Sequence, residues 1–178
     1  MTVTQTDIVH QVEAVFDRII IRGIARVSSG EGYVLSFLLM ACAIDYLAGF
    51  NAGRAAKKKD YIRFLNEYEW LVEKYNPEDF YQSLRCGLVH NFMTNYGKFC
   101  FSSGVPEKHR VIEESEGRKM INLNFENFFE DFRRLKQEFF AKVRESEGNK
   151  RASFLKRFNE VGFLMPVDIE DKNNFLRV

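Results

Sequence analysis

The stretch "FYQSLRCGLVHNF" at 80–92 carries the side chains best suited to chemistry. Histidine transfers protons near neutral pH, and arginine grips phosphate through paired donors. Together, Arg85 and His90 suit metal-free cleavage of an RNA phosphodiester. In that reaction the neighbouring 2′-OH attacks phosphorus, a proton carrier serves both oxygens, and a cation stabilises the phosphorane. Five residues place the two Cα atoms about 140° apart on an ideal helix, so a second chain, or a deformation near Gly87, would have to complete such a site. Read blandly, the same residues are an exposed arginine and a histidine capping a helix or sitting in the core. Cys86 and His90, four apart, can share a helix face and would suit a thiolate–imidazolium pair or half a metal site. A small buried thiol beside a helix-borne histidine has the same spacing. Gly87 costs roughly 1 kcal/mol against alanine in a helix interior, which points to a close-packed contact or a site.

The elements that must position these residues follow from periodicity. Ile8, Val12, Val15, Phe16, Ile19 and Ile20 form one stripe, ending near Val27 before "SSGEG". From about Glu31 to Phe50 the chain is apolar nearly all round, as in the most buried helix of a bundle. Asp45, the carboxylate inside this apolar stretch, needs a partner wherever it lies, and Arg85 is a candidate. Tyr61, Phe64, Leu65, Tyr68, Leu71, Val72 and Tyr75 predict one amphipathic helix. Asn76-Pro77-Glu78 then reads as a helix start, with the next helix running to about Met93.

Beyond Gly97 the period shortens, and a small antiparallel hairpin or three-stranded meander is expected over 97–123. Asn124 caps a further helix with Phe125, Phe128, Phe129, Phe132, Leu135, Phe139 and Val143 on its buried stripe. A shorter helix carries Phe154, Leu155, Phe158 and Val161. The tail from 162 reads as irregular or as an extended strap. The fold class expected is mainly all-α, a helical bundle with a β insertion, in one domain: a core over 5–95, the insertion over 97–123, C-terminal helices over 125–161 and the tail over 162–178.

The 178 residues hold 46% hydrophobic side chains, 18 of them phenylalanine, enough for a real core. Charges nearly cancel at +1, so any polyanion site must be a local patch. Arg54, Lys57, Lys58, Lys59 and Arg63 form one such patch, and Lys150, Arg151, Lys156 and Arg157 another; phosphate contacts there would give affinity with little sequence choice. Most such runs are solvated surface. No GxxxxGK[ST], GxGxxG or HExxH pattern occurs, and no cofactor or metal is expected. Three cysteines without CxxC spacing suit a reducing compartment. The N-terminal stretch lacks a signal-peptide pattern, and the longest apolar run, 33–44, is too short to span a bilayer. A soluble cytoplasmic protein with no membrane partner is expected.

The segment "FYQSLRCGLVHNF" resembles the R-x4-6-H signature of HEPN-domain proteins. Upstream, "AIDYLAGFNAG" and "YIRFLNEY" stand where similar small HEPN-like proteins carry their second and third helices. The resemblance covers about residues 5–95. It implies an up-and-down α-bundle that forms a homodimer, with the motif helices facing each other across a cleft. Many members are metal-independent endoribonucleases of toxin–antitoxin, defence or RNA-processing systems, some with an antitoxin or nucleotidyltransferase-type partner. Others are non-catalytic dimerisation, nucleotide-binding or protein-binding modules. By this resemblance Arg85 and His90 are the catalytic pair, with Cys86, Asn91 and Asp45 in support.

Overall fold

A computed structural model describes residues 5–29, 32–94 and 97–162. The described residues are 72% helical, with seven helices and a small three-stranded mixed sheet between helices. Helix α1 covers 5–27 and is continuous through a π-helical turn, Asp17–Ile21. Helix α2, Tyr33–Ala52, forms the centre, and Phe37, Met40, Ile44, Leu47 and Phe50 are all essentially inaccessible. It ends on Gly53, whose φ of 68° closes the helix in the left-handed conformation that glycine adopts freely.

The extent matches the helix expected from about Glu31 to Phe50. The apolar run 33–44 is too short to span a bilayer, but the whole 20-residue helix is long and apolar enough to cross a membrane, with 56% of its most apolar window buried inside the fold. Burial against neighbouring helices explains the same composition that a span would require.

The single helix expected over 61–75 is two. Helix α3, Lys58–Asn66, and helix α4, Glu69–Lys74, are separated at Tyr68, whose backbone is extended (φ −123°, ψ 93°). Tertiary contacts hold this break open. The Glu67 carbonyl accepts from Lys142 Nζ at 3.0 Å, and that ammonium lies 3.9 Å from the centre of the buried Tyr68 ring. The Glu67 carboxylate takes Asn51 Nδ2 at 2.6 Å and pairs with Lys150. Local periodicity favours one helix, but Lys142 satisfies the carbonyl the break exposes, and Asn51 and Lys150 anchor the Glu67 side chain beside it. Val72, counted on the buried stripe, is 40% exposed as a result.

Helix α5 covers 77–91. Asn76 caps it as expected, accepting from the backbone N–H groups of Glu78 (2.9 Å) and Asp79 (3.1 Å). Strands β1 (Phe99–Ser102), β2 (Ile112–Ser115) and β3 (Arg118–Asn124) follow, in the order β1-β3-β2. The expected hairpin is β2–β3, paired antiparallel, but β1 joins β3 in parallel register rather than as an arm of a meander. Parallel pairing demands a crossover of about a dozen residues or more, and the segment 103–117 between β1 and β3, which holds the short 3₁₀ turn Pro106–Lys108 and β2 itself, supplies it.

Helix α6, Phe125–Glu145, begins on Asn124, whose Oδ1 accepts from Asn127 N–H at 3.2 Å. The predicted stripe is buried except Phe129, which is partly covered. Helix α7, Asn149–Val161, buries Phe154 against Phe50, Phe139 and Phe140. The strap reading of the tail falls beyond Gly162, outside the described residues.

Candidate functional site

The motif helix is irregular where it matters. Within α5, Phe80–Arg85 is π-helical, and the Cys86 N–H reaches back to the Tyr81 carbonyl, closing a wider turn than an α-helix would. Such turns are rare and occur frequently at functional sites. The helix returns to α geometry over Cys86–Asn91. Arg85 and His90 therefore keep the α-helical angular separation of about 140°, and no bond between their side chains is present among the described residues.

Arg85 faces α2. Its Nη2 donates to Asp45 Oδ2 at 3.1 Å, with 22% of the arginine side chain and 26% of the aspartate side chain exposed. The Tyr81 ring, one turn earlier, lies 5.7 Å from the guanidinium carbon. Partial burial works against the arginine charge, but the hydrogen bond and attraction from Asp45 outweigh it and hold its pKa above the usual value. The Nε atom of Arg85 is buried without a partner, as is the hydroxyl of the inaccessible Tyr61.

The surroundings are thiol-rich. Cys42, on the α2 turn before Asp45, is exposed, and Cys86 is half-buried beside Arg85. Burial raises the Cys42 pKa, the attraction of Arg85 opposes this, and Asp45 adds to it. Cys42 is thus a poor thiolate at neutral pH. Tyr61 is pushed far above its ordinary value, by burial first and by Asp45 second, and stays a neutral hydroxyl. The site can present a fixed cation and several weak donors.

His90 lies in the last turn of α5 and is exposed, with no hydrogen bond or ion pair among the described residues. Asn91 beside it is exposed too. Gly87 is buried within the chain, so it serves packing in this fold rather than an open face. Immediately beyond, Phe92 sits in the left-handed region (φ 54°) and is 69% exposed, with Met93 at 71%.

The basic patch divides. Arg54 is committed to the buried Asp60, at 2.9 Å and 2.8 Å to its two oxygens, and Lys58 pairs with Glu78 at 2.9 Å. Lys57, Lys59 and Arg63 are exposed and carry no ion pair among the described residues. In the C-terminal cluster, Lys150 pairs with Glu67, Arg151 donates to the Val143 and Arg144 carbonyls, and Arg157 pairs with Glu160. Those cations serve the fold, which leaves Lys156 exposed.

A second polar centre escaped the sequence reading. Tyr75 Oη donates to Asp131 Oδ2 at 2.7 Å, and Asp131 Oδ1 pairs with Lys74 at 2.7 Å. His109 Nε2 lies 2.8 Å from Tyr75 Oη, while its Nδ1 accepts from the Asn124 N–H at 3.2 Å. That acceptor role fixes the ring proton on Nε2, so the chain of donors runs from His109 through Tyr75 to Asp131. It joins α4, the sheet and α6. Residues 34 and 56 apart from Tyr75 supply it, a pairing no local spacing reveals. No group of three or more His, Cys, Asp and Glu side chains poised to hold a metal occurs among the described residues.

Comparison with protein families, with curated proteins and with solved structures found no match for this chain.

Proposed function

We propose that the chain is a HEPN-like, metal-independent endoribonuclease acting at a cleft between two copies. The observation that carries this reading is the placement of Arg85 and His90: one helix holds a braced, partly exposed cation and, in its final turn, an exposed imidazole. Their angular separation keeps one chain from closing both on a single phosphate, and a two-fold pairing of α5 helices would bring Arg85 of one copy to His90 of the other. His90 takes the proton from the 2′-OH as that oxygen attacks phosphorus, and returns a proton to the departing 5′-oxygen. The P–O5′ bond breaks, leaving a 2′,3′-cyclic phosphate and a 5′-hydroxyl. Arg85 neutralises the phosphorane oxygens, and Asp45 holds it in place. The exposed Phe92 ring offers a base a stacking surface beside His90.

A second reading rests on the same ion pair. An arginine engaged by a carboxylate and flanked by an aromatic ring is already satisfied, which favours a non-catalytic module of the same fold that binds a nucleotide or a protein. Incubating single-stranded RNA of mixed sequence with the protein in EDTA separates the two. Cleavage yielding cyclic phosphate ends, lost in folded His90→Ala, supports the nuclease; intact RNA with a folded, dimeric wild type supports the module.

A further inference from the structure

A cavity of about 440 Å³ opens between α1 and α2, and Val12, Phe16, Ile20, Leu39 and Cys42 stand in its wall. That volume is typical of small-molecule sites, which are concave and mostly apolar. On α1 the lining runs from Val12 to Val27, roughly 22 Å at the rise of an α-helix, so the space is elongated. Leu39 and Val27 are 39% and 36% exposed and Cys42 is exposed, which leaves the wall accessible from solvent.

Gly23 distinguishes this cavity from a packing gap. It lies in the wall and inside α1, where glycine is a poor helix former. A Cβ built there would meet no atom within 4 Å among the described residues, so no close neighbour requires its absence. What the missing side chain leaves is room in the cavity. The adjoining π-helical turn, Asp17–Ile21, carries Ile19 and Ile20 of the same wall, and such turns recur at functional sites.

Charge defines one end of the occupant. Arg18, Arg22 and Arg26 follow at four-residue spacing on α1, all exposed and none with an ion pair among the described residues. They stand three positions after Val15, Ile19 and Gly23 of the wall, and so border the apolar stripe on one side. The carboxylates nearest in sequence, Glu13 and Asp17, are engaged by Lys136 and Arg144. A row of free guanidinium groups beside an elongated apolar trough is complementary to an amphiphile with an anionic head. We infer that the α1–α2 cavity binds a single-chain fatty carboxylate, with its hydrocarbon chain along the α1 wall and its head against Arg22 and Arg26. Each guanidinium offers a carboxylate paired N–H donors. This goes beyond the nuclease reading and does not depend on it.

Sodium decanoate below its micellar concentration is the probe, titrated calorimetrically into the full chain. The wild type should bind it saturably. Gly23→Leu fills the cavity and replaces a poor helix former with a good one, so it should weaken binding at least about tenfold with circular dichroism unchanged. Arg22→Glu with Arg26→Glu should weaken decanoate to a similar degree and leave neutral decanol unaffected. In the full chain carrying Cys86→Ser and Cys100→Ser, where Cys42 is the remaining thiol, decanoate should slow labelling by a fluorescein maleimide. A folded wild type that does not bind, or equal affinity in Gly23→Leu, would overturn the inference. Decanol binding as tightly as decanoate would overturn the anionic head. Affinity that falls as protein concentration rises would assign the cavity to a second copy, and binding gained only in Phe163→Asp with Leu164→Asp would assign it to the chain's own C-terminal segment. Either result overturns the inference too.

Discussion

Arg85 Nη2 and Asp45 Oδ2 lie 3.1 Å apart across the contact between α5 and α2, and Asp45 is the single charged residue in the 20-residue helix α2. The charge in the apolar helix and the cation of the motif are thus one feature. A carboxylate at the edge of a core is tolerated because it has a cation to face, and that cation is held in one orientation by the carboxylate.

This coupling is measurable by a double-mutant cycle. Asp45→Ala alone is expected to cost about 1–2 kcal/mol, since it strands a partly buried guanidinium, while water reaching both side chains limits the loss. Arg85→Met should cost a similar amount. The double variant should cost less than the sum in urea denaturation. Strict additivity would mean that the pair contributes no interaction energy.

Acid should loosen the sheet through His109. Burial lowers the pKa of this ring below its ordinary value, the attraction of Asp131 opposes that, and Arg110 and Lys74 reinforce it. A group with a depressed folded pKa binds its proton more weakly when folded than when unfolded. Its contribution to stability is therefore complete above the unfolded value near 6.5 and is lost as pH falls through the lower folded value. Protonation also places a donor on Nδ1, opposite the Asn124 N–H. Stability measured from pH 7.5 to pH 5 should fall in the wild type, and less steeply in His109→Gln. Parallel profiles would show that another group carries the acid response.

How much of this could be read in advance depended on whether the signal was local. The caps at Asn76 and Asn124, the helix ending at Val27 and the phenylalanine stripe of α6 came directly from spacing, since each follows from the side chain's own neighbours in sequence. The Arg85–Asp45 pair was legible because a lone charge in an apolar helix requires a partner. The break at Tyr68, the parallel β1 and the His109–Tyr75–Asp131 chain were not, because contacts between distant segments decide them. The π-helical turn under Arg85 belongs with these, since the residues Phe80–Arg85 show ordinary helical character one by one.

Lys136 should prove the costliest surface-type residue to remove. It lies on α6 only 5% exposed, with its ammonium 2.9 Å from both Glu13 and Asp17 of α1, while Arg144 also pairs with Glu13. Removing one partner of a buried pair leaves the rest uncompensated, so Lys136→Ala should cost roughly 3–5 kcal/mol. Lys136→Met keeps the apolar stem and should be milder. Both should lower the urea midpoint with an unchanged slope. A loss below about 1 kcal/mol for the alanine variant would place this cluster with ordinary surface ion pairs.

Phe92 combines a strained backbone with an exposed ring. Its φ of 54° is costly for any residue with a Cβ, and its N–H still closes the helix on the Leu88 carbonyl at 3.2 Å. With 69% of its surface in water, little burial offsets that strain. Phe92→Gly should therefore raise the stability of the protein by about 1 kcal/mol, whereas Phe92→Ala, which keeps the Cβ, should not. If the ring stacks a base beside His90, both variants should weaken single-stranded RNA binding by about 1–3 kcal/mol. Thermal melting and fluorescence-anisotropy titration on the same samples read the two effects separately. A destabilised glycine variant would refute the strain, and unchanged RNA affinity would remove Phe92 from the binding surface while leaving the roles of Arg85 and His90 to the cleavage assay.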